Sequence, residues 1–491
     1  MNRTPFHGAL AVFLSITILA AATAVAAPSP IPRLAAPPLG VRWFAIFFDG
    51  KRTGFARQEI AAAPEGYEIT AESSVRMVVL GFSRQATSRE RYRVNRDLSL
   101  RSFHVEEVLD GTPLTLDGEA TPRGVKVTVV SKGKRREKLL KAKGVVYPPA
   151  AMNLYPLMRG TAPGKGVKVP MLDVEEVKIK SVAIEVMGVE TMPGGESTLH
   201  LRNDLYPMVD NDIWVDPAGN TLRESVRDGL VETRGVDEGS ALRYLAAAAV
   251  ARRDALRDFG LVPVTPPLEP ATLARLVIGV EGIPAAFPLP AAAKRRDDGT
   301  VRFAVAAAEP EAAPADAETV KRYLAPADRL PVEDPAMAAR AQEIVGGEKE
   351  PAKQALLLAR WIAATIEEEA ASDTPSPRDT LATRKGDSPA RTRLYCTLAR
   401  AAGIPSRLVS GLVYLPGTGF SFHSWAESAV AGKWLPVDPT FGQAPADVTH
   451  VKLVEGEGGE TMMALGRLVG RIGIQVLEAR SETKKGEPAA R

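Results

Sequence analysis

Short apolar runs with period-two alternation fill the first half of the chain. Residues 42–48, 67–70, 75–80, 91–94, 125–130 and 174–186 each predict a strand. Asp49-Gly50, Asp110-Gly111 and Pro193-Gly194-Gly195 read as turns between such runs. Many short strands with few helical patterns predict one antiparallel, half-barrel-like sheet over 40–235. The pattern then changes. Residues 242–259, rich in Ala and Arg, predict a helix, and 273–280 and 301–305 predict two strands. These belong to a middle region, 236–319, that ends in the Ala/Pro/Glu-rich segment 306–317, read as a linker or exposed loop. Residues 335–344 and 352–367 predict two amphipathic helices.

The densest pattern lies at 380–441. Leu394, Leu398 and Ala401 recur at helical spacing, so 388–402 predicts a helix, stopped by Gly403 and Pro405. Residues 407–414 predict a strand, and 420–430 and 433–437 a hairpin around Ala431-Gly432. If Val430 pairs with Lys433, His423 faces Thr440 and Asp438 is its diagonal neighbour on the same face. Such diagonal pairs sit about 7–8 Å apart at the backbone, within reach for an imidazole and a carboxylate. Segments 446–453 and 465–477 are expected to complete a C-terminal region, 320–480, before a polar tail at 481–491. The fold class is therefore α+β: an antiparallel β-rich domain, then a smaller α+β domain.

The charge balance, 62 basic against 59 acidic residues, argues against a nucleic-acid partner. Residues 1–26 read as an export signal. Arg3 supplies the basic start, 9–20 the apolar core, and Ala24-Val25-Ala26 the cleavage site, with a mature start near Ala27 and a linker to residue 39. The competing reading is an uncleaved anchor over 8–27. Export implies a periplasmic or secreted protein. Cys396 is the single cysteine, so no internal disulfide forms. The basic run at 132–143 reads as a solvated hairpin face, with contact to an acidic surface as the alternative. His104 and His200 lack ligand-spaced partners in the sequence, so no metal and no cofactor is expected.

Three ordered motifs carry a resemblance: GIPSRLVSG from Gly403, FHSWAE from Phe422 and WLPVDPTF from Trp434. They resemble the core motifs of the transglutaminase-like superfamily, a papain-like fold, across roughly residues 320–475. The resemblance implies that His423 takes the place of the catalytic histidine and Asp438 that of the catalytic aspartate. It puts the nucleophile fifteen residues before Gly403, at Ser388, where the family carries cysteine. Thiol chemistry of this kind needs a thiolate, a histidine to move the proton and a carboxylate to orient the imidazole.

Ser388 has a plainer reading as a helix N-cap with Pro389 at N1. Pro389 also lacks the N–H that could stabilise an oxyanion. Cys396 lies about 12 Å further along the helix axis, on its apolar face, and is expected to be core. Trp425 and Trp434 wall a cleft near His423 or pack across the hairpin. Glu427 shares the His423 face and is expected toward solvent, outside the site.

The expected protein is an exported one whose transglutaminase-like domain has lost ordinary thiol catalysis. It acts as a binding or scaffold module in the cell envelope, on a protein or peptide ligand. One alternative is an active hydrolase or acyltransferase using Ser388, His423 and Asp438. Another is an envelope carrier acting through the β domain, whose strand pattern is similar to periplasmic lipoprotein-carrier-like sheets. If the catalytic frame survives, a thiol placed at Ser388 should be activated by His423.

Overall fold

The computed structural model describes residues 33–79, 82–192, 195, 197–205, 209–251, 259–307, 311, 317–369 and 375–481. The export signal, residues 27–32 of the 27–39 linker and the tail beyond Ser481 lie outside the described residues.

The strands from Gly40–Phe48 to Val231–Val236 form one antiparallel sheet, 14-stranded among the described residues. Successive strands are neighbours, and Gly40–Phe48 pairs with both Lys51–Ala63 and Val231–Val236. The sheet curls until Lys138 Nζ, on one edge strand, donates to Val177 O beside the other edge, at 2.8 Å. Two details differ from the sequence pattern. The expected strand at 174–186 is broken by a turn, because Asp173 Oδ1 accepts from Glu176 N and Val177 takes a positive φ. A helical segment, Pro149–Leu154 and Tyr155–Arg159, goes unseen in the strand pattern. Its Met152, Leu154, Tyr155 and Leu157 join Ile69, Tyr92, Leu116 and Val182 in one buried cluster. The sheet thus packs around this chain's own side chains. The basic run forms an edge strand, Lys134–Lys141, exposed except at Leu140; edge lysines discourage pairing with another chain.

Helix Glu238–Val250, here the cover helix, starts on an Asp237 side-chain cap. Its buried Leu242, Leu245, Ala246 and Ala249 form one stripe at helical spacing. Helix Gly459–Gly466 lies against it. A Cβ at Gly466 would meet Leu242 O at 2.1 Å, so only glycine permits this approach.

The C-terminal α+β core holds helices Pro335–Val345, Pro351–Thr365 and Ser388–Ala401, the last being the site helix. Beside them lies a four-stranded sheet in which Gly419–Val430 sits between Lys433–Val437 and Ser406–Leu415, with Val451–Glu455 outermost.

Strand Gly473–Ser481 does not complete this core. It pairs with Leu273–Glu281 in a separate sheet with Val301–Ala306, drawn there by a buried cluster that includes Leu276, Ile278, Val280 and Phe303. Most of the expected linker at 306–317 lies outside the described residues, but Glu311 within it is held. Glu311 O accepts from Trp434 N at 2.8 Å, and its carboxylate pairs with Lys452 and Arg407. A protease cut within 306–317 should therefore leave two fragments that co-elute in gel filtration without denaturant. Separation of a free fragment starting near residue 320 would contradict this pairing.

Candidate active site

The hairpin Gly419–Val430 and Lys433–Val437 has Val430 opposite Lys433 and Ala426 opposite Val437. Pairing stops there, because Asp438 bridges to Gln443 and turns the chain. This register carries His423 and Asp438 to one side, where His423 Nε2 meets Asp438 Oδ2 at 2.7 Å. Both residues are wholly buried. Asp438 Oδ1 accepts from Thr440 N at 2.6 Å and Phe441 N at 3.2 Å. The Phe441 ring stacks on the imidazole, with centroids 5.3 Å apart.

His450 belongs to the same cluster and has no part in the motifs. Its Nε2 donates to the same Asp438 Oδ2 at 2.9 Å, and its Nδ1 faces Asp447 O and Oδ1. Burial alone would lower the His450 imidazole, but the Asp438 and Asp447 carboxylates overcome it and push it up to about 9. Asp438 shows the converse. Burial works to raise it, while His423 and His450 hold it well below the usual carboxylate range.

The donor atoms of His423, Asp438 and His450 lie within 4.8 Å of one another, a set that a metal ion could bridge. The His–Asp separations of 2.7 and 2.9 Å are those of charge-assisted hydrogen bonds. Ligands at about 2.0–2.2 Å from a tetrahedral zinc would stand roughly 3.3 Å apart. The cluster is built as an ionic hydrogen-bond network around one carboxylate.

The folded pKa of His450, about 9, lies above its ordinary 6.5. Its contribution is complete below about pH 6.5 and is lost as pH rises through 9, with a size of roughly 3 kcal/mol. Urea unfolding should show that decline between those pH values, and His450→Gln should remove most of it. An unchanged slope in the variant would contradict the ionic reading.

Ser388 Oγ makes its hydrogen bonds to the backbone of Val250 and Ser424. Asp387, not Ser388, is the N-cap of the site helix: its backbone is extended and its side chain accepts from Ala390 N at 3.0 Å. A carboxylate at the positive helix end takes the cap from the neighbouring hydroxyl. Ser388 thus moves to N1 and Pro389 to N2. Ser388 Oγ, nearly fully buried, donates to Val250 O of the cover helix at 2.8 Å and accepts from Ser424 N at 3.4 Å. Its surroundings are fixed from two sides. Thr392 Oγ1 donates to Ser388 O and Ser424 O, while Arg391 donates to Gly386 O and Thr440 O.

Cys396 is fully buried among Leu394, Tyr395 and Leu398, and burial pushes its thiol up to about 12. Trp425 and Trp434 line a cavity of about 230 Å³ together with His450 and Asp447. Trp425 also lies edge-on to the His450 ring at 5.2 Å. Glu427 is buried rather than solvent-facing, because Arg407 at 2.6 Å and Lys452 at 2.9 Å hold it. His104 and His200 do have carboxylate partners, supplied by strand neighbours that sequence spacing does not reveal. His104 Nδ1 contacts Asp117 at 2.7 Å, and His200 contacts Glu190 at 2.7 Å and Asp212 at 2.6 Å.

The arrangement defines a papain-like α+β site with its histidine and aspartate in contact and no thiol at the helix start. Residues 338–439 match the profile of the Transglutaminase-like superfamily, so the C-terminal region is transglutaminase-like. A β-barrel-like protein of a domain of unknown function from Brucella abortus is similar over 41% of this chain and 96% of its own, at 14% identity and TM-score 0.33. A candidate cysteine protease from Cytophaga hutchinsonii is similar over 44% of this chain and 89% of its own, at 17% identity and TM-score 0.26. A candidate protease from Parabacteroides distasonis is similar over 81% of this chain and 69% of its own, at 11% identity and TM-score 0.22. No curated protein matches the chain.

Proposed function

We propose that this is an exported protein of the cell envelope whose transglutaminase-like region binds a protein or peptide partner and does not turn it over. The observation that carries this reading is the hydrogen bond from Ser388 Oγ to Val250 O. Acyl transfer needs a nucleophile whose proton can pass to the base within hydrogen-bond reach. Here that proton points at a carbonyl in the last residue of the cover helix, the negative end of its dipole, which opposes an alkoxide. Pro389 gives no N–H to an oxyanion, and Cys396 stays a buried thiol. His423 and Asp438 persist on this reading as the ionic centre of the hairpin.

A second reading keeps Ser388, His423 and Asp438 as a working hydrolase or acyltransferase. The 2.7 Å His423–Asp438 contact favours it, and it needs the end of the cover helix to withdraw. A fluorophosphonate probe separates the two. On the silent reading native protein takes up no label at Ser388, whereas label lost in Ser388→Ala would establish the active one. Action as a lipid carrier through the β domain is less well supported, since Met152, Leu154 and Leu157 already fill the sheet's packed face.

A further inference from the structure

A cavity of about 820 Å³ runs beside the site helix. One wall is a stripe of that helix containing Pro389, Arg393 and Arg400. The eleven steps from Pro389 to Arg400, at about 1.5 Å each, give the groove a length of roughly 16 Å. Val250 and Ser424, which hold Ser388, line it as well. Arg243 of the cover helix, Arg322, Arg329 and Arg407 complete its arginine lining.

Two of these six arginines are matched by acid. Arg393 pairs with Glu457, and Arg407 with Glu427, Glu455 and Glu311. Among the described residues, Arg243, Arg322, Arg329 and Arg400 have no carboxylate within ion-pair distance. Arg400 decides the matter, being only 8% exposed. Its Nε donates to Ser406 O and its Nη1 to Ala325 O, both neutral acceptors. A guanidinium buried without a counter-charge is costly, and an anionic ligand would offset that cost. Burial accordingly pushes Arg400 below its ordinary range.

We propose that this groove binds an extended acidic peptide, with Arg400, Arg243 and Arg322 taking its carboxylates. The proposal rests on the binding-module reading and names its ligand class. Arginine forks match carboxylates in geometry as well as charge. A groove of this length takes about five extended residues at roughly 3.3 Å each. Tyr244, Tyr323 and Met462 supply apolar surface between the charges.

Fluorescence anisotropy with a fluorescein-labelled pentapeptide of alternating glutamate and alanine tests this, with the glutamine counterpart as control. At low salt the glutamate peptide should bind at least about tenfold tighter than the glutamine one, and added salt should weaken it. Arg243→Glu/Arg322→Glu should lower its affinity at least about tenfold. Both side chains are exposed, so circular dichroism should show the variant folded. The proposal is overturned if neither peptide binds, if both bind alike, or if the double reversal leaves affinity unchanged. Displacement of the peptide by inorganic phosphate at equal concentration would likewise overturn the peptide assignment. Failure here leaves the Ser388 labelling result untouched, and labelling at Ser388 refutes the silent reading whatever the peptide does.

Discussion

Asp438→Ala should destabilise the C-terminal region by roughly 3–5 kcal/mol, the range for stripping one partner from a buried ion network. Asp438 is the carboxylate in contact with His423, and it shares the charged His450 with Asp447. It also accepts the Thr440 and Phe441 amides, which would be left buried without an acceptor. Urea unfolding followed by tryptophan emission reads the change locally, because Trp425 packs on His423 and His450. Asp438→Asn should fall between, since an amide keeps one acceptor but brings an N–H against the imidazoles. A loss below about 1 kcal/mol for the alanine variant would mean that the cluster is not the hairpin's ionic centre.

Arg407→Met should cost roughly 2–4 kcal/mol by the same physics at a second place. Arg407 bridges Glu427, Glu455 and Glu311 and lies over the Trp434 ring at 3.8 Å. Its loss leaves the buried Glu427 with Lys452 alone. Glu427→Gln in the same chain should recover part of that cost. The double-mutant cycle should then give a coupling of about 1–2 kcal/mol. Additive losses in the urea midpoints would show that the two side chains do not act as a pair.

Local patterns in the sequence carried far in the C-terminal region, because tight turns and helical spacing are local. The Ala431-Gly432 turn fixes the hairpin register, and that register alone brings His423 to Asp438. Leu394 and Leu398 likewise place Cys396 in the core. What the pattern missed is what distant segments supply. His450 meets Asp438 from a loop with no periodicity, and only its rarity, as one of five histidines, could have singled it out. Glu427 looks solvent-facing until Arg407 and Lys452 arrive from neighbouring strands. The cap passes from Ser388 to Asp387 because two good caps stand side by side, and the cover helix then claims the serine hydroxyl. That last contact spans 138 residues, beyond any local pattern.

The most direct test replaces Ser388 by cysteine and follows alkylation by iodoacetamide at neutral pH, site by site, in the native protein. If the cover helix seals this position away from His423, the new thiol should react as slowly as the buried Cys396, with no dependence on His423. Rapid alkylation at position 388 that is lost in Ser388→Cys/His423→Ala would show a working thiol–imidazole frame and contradict the silent-site account.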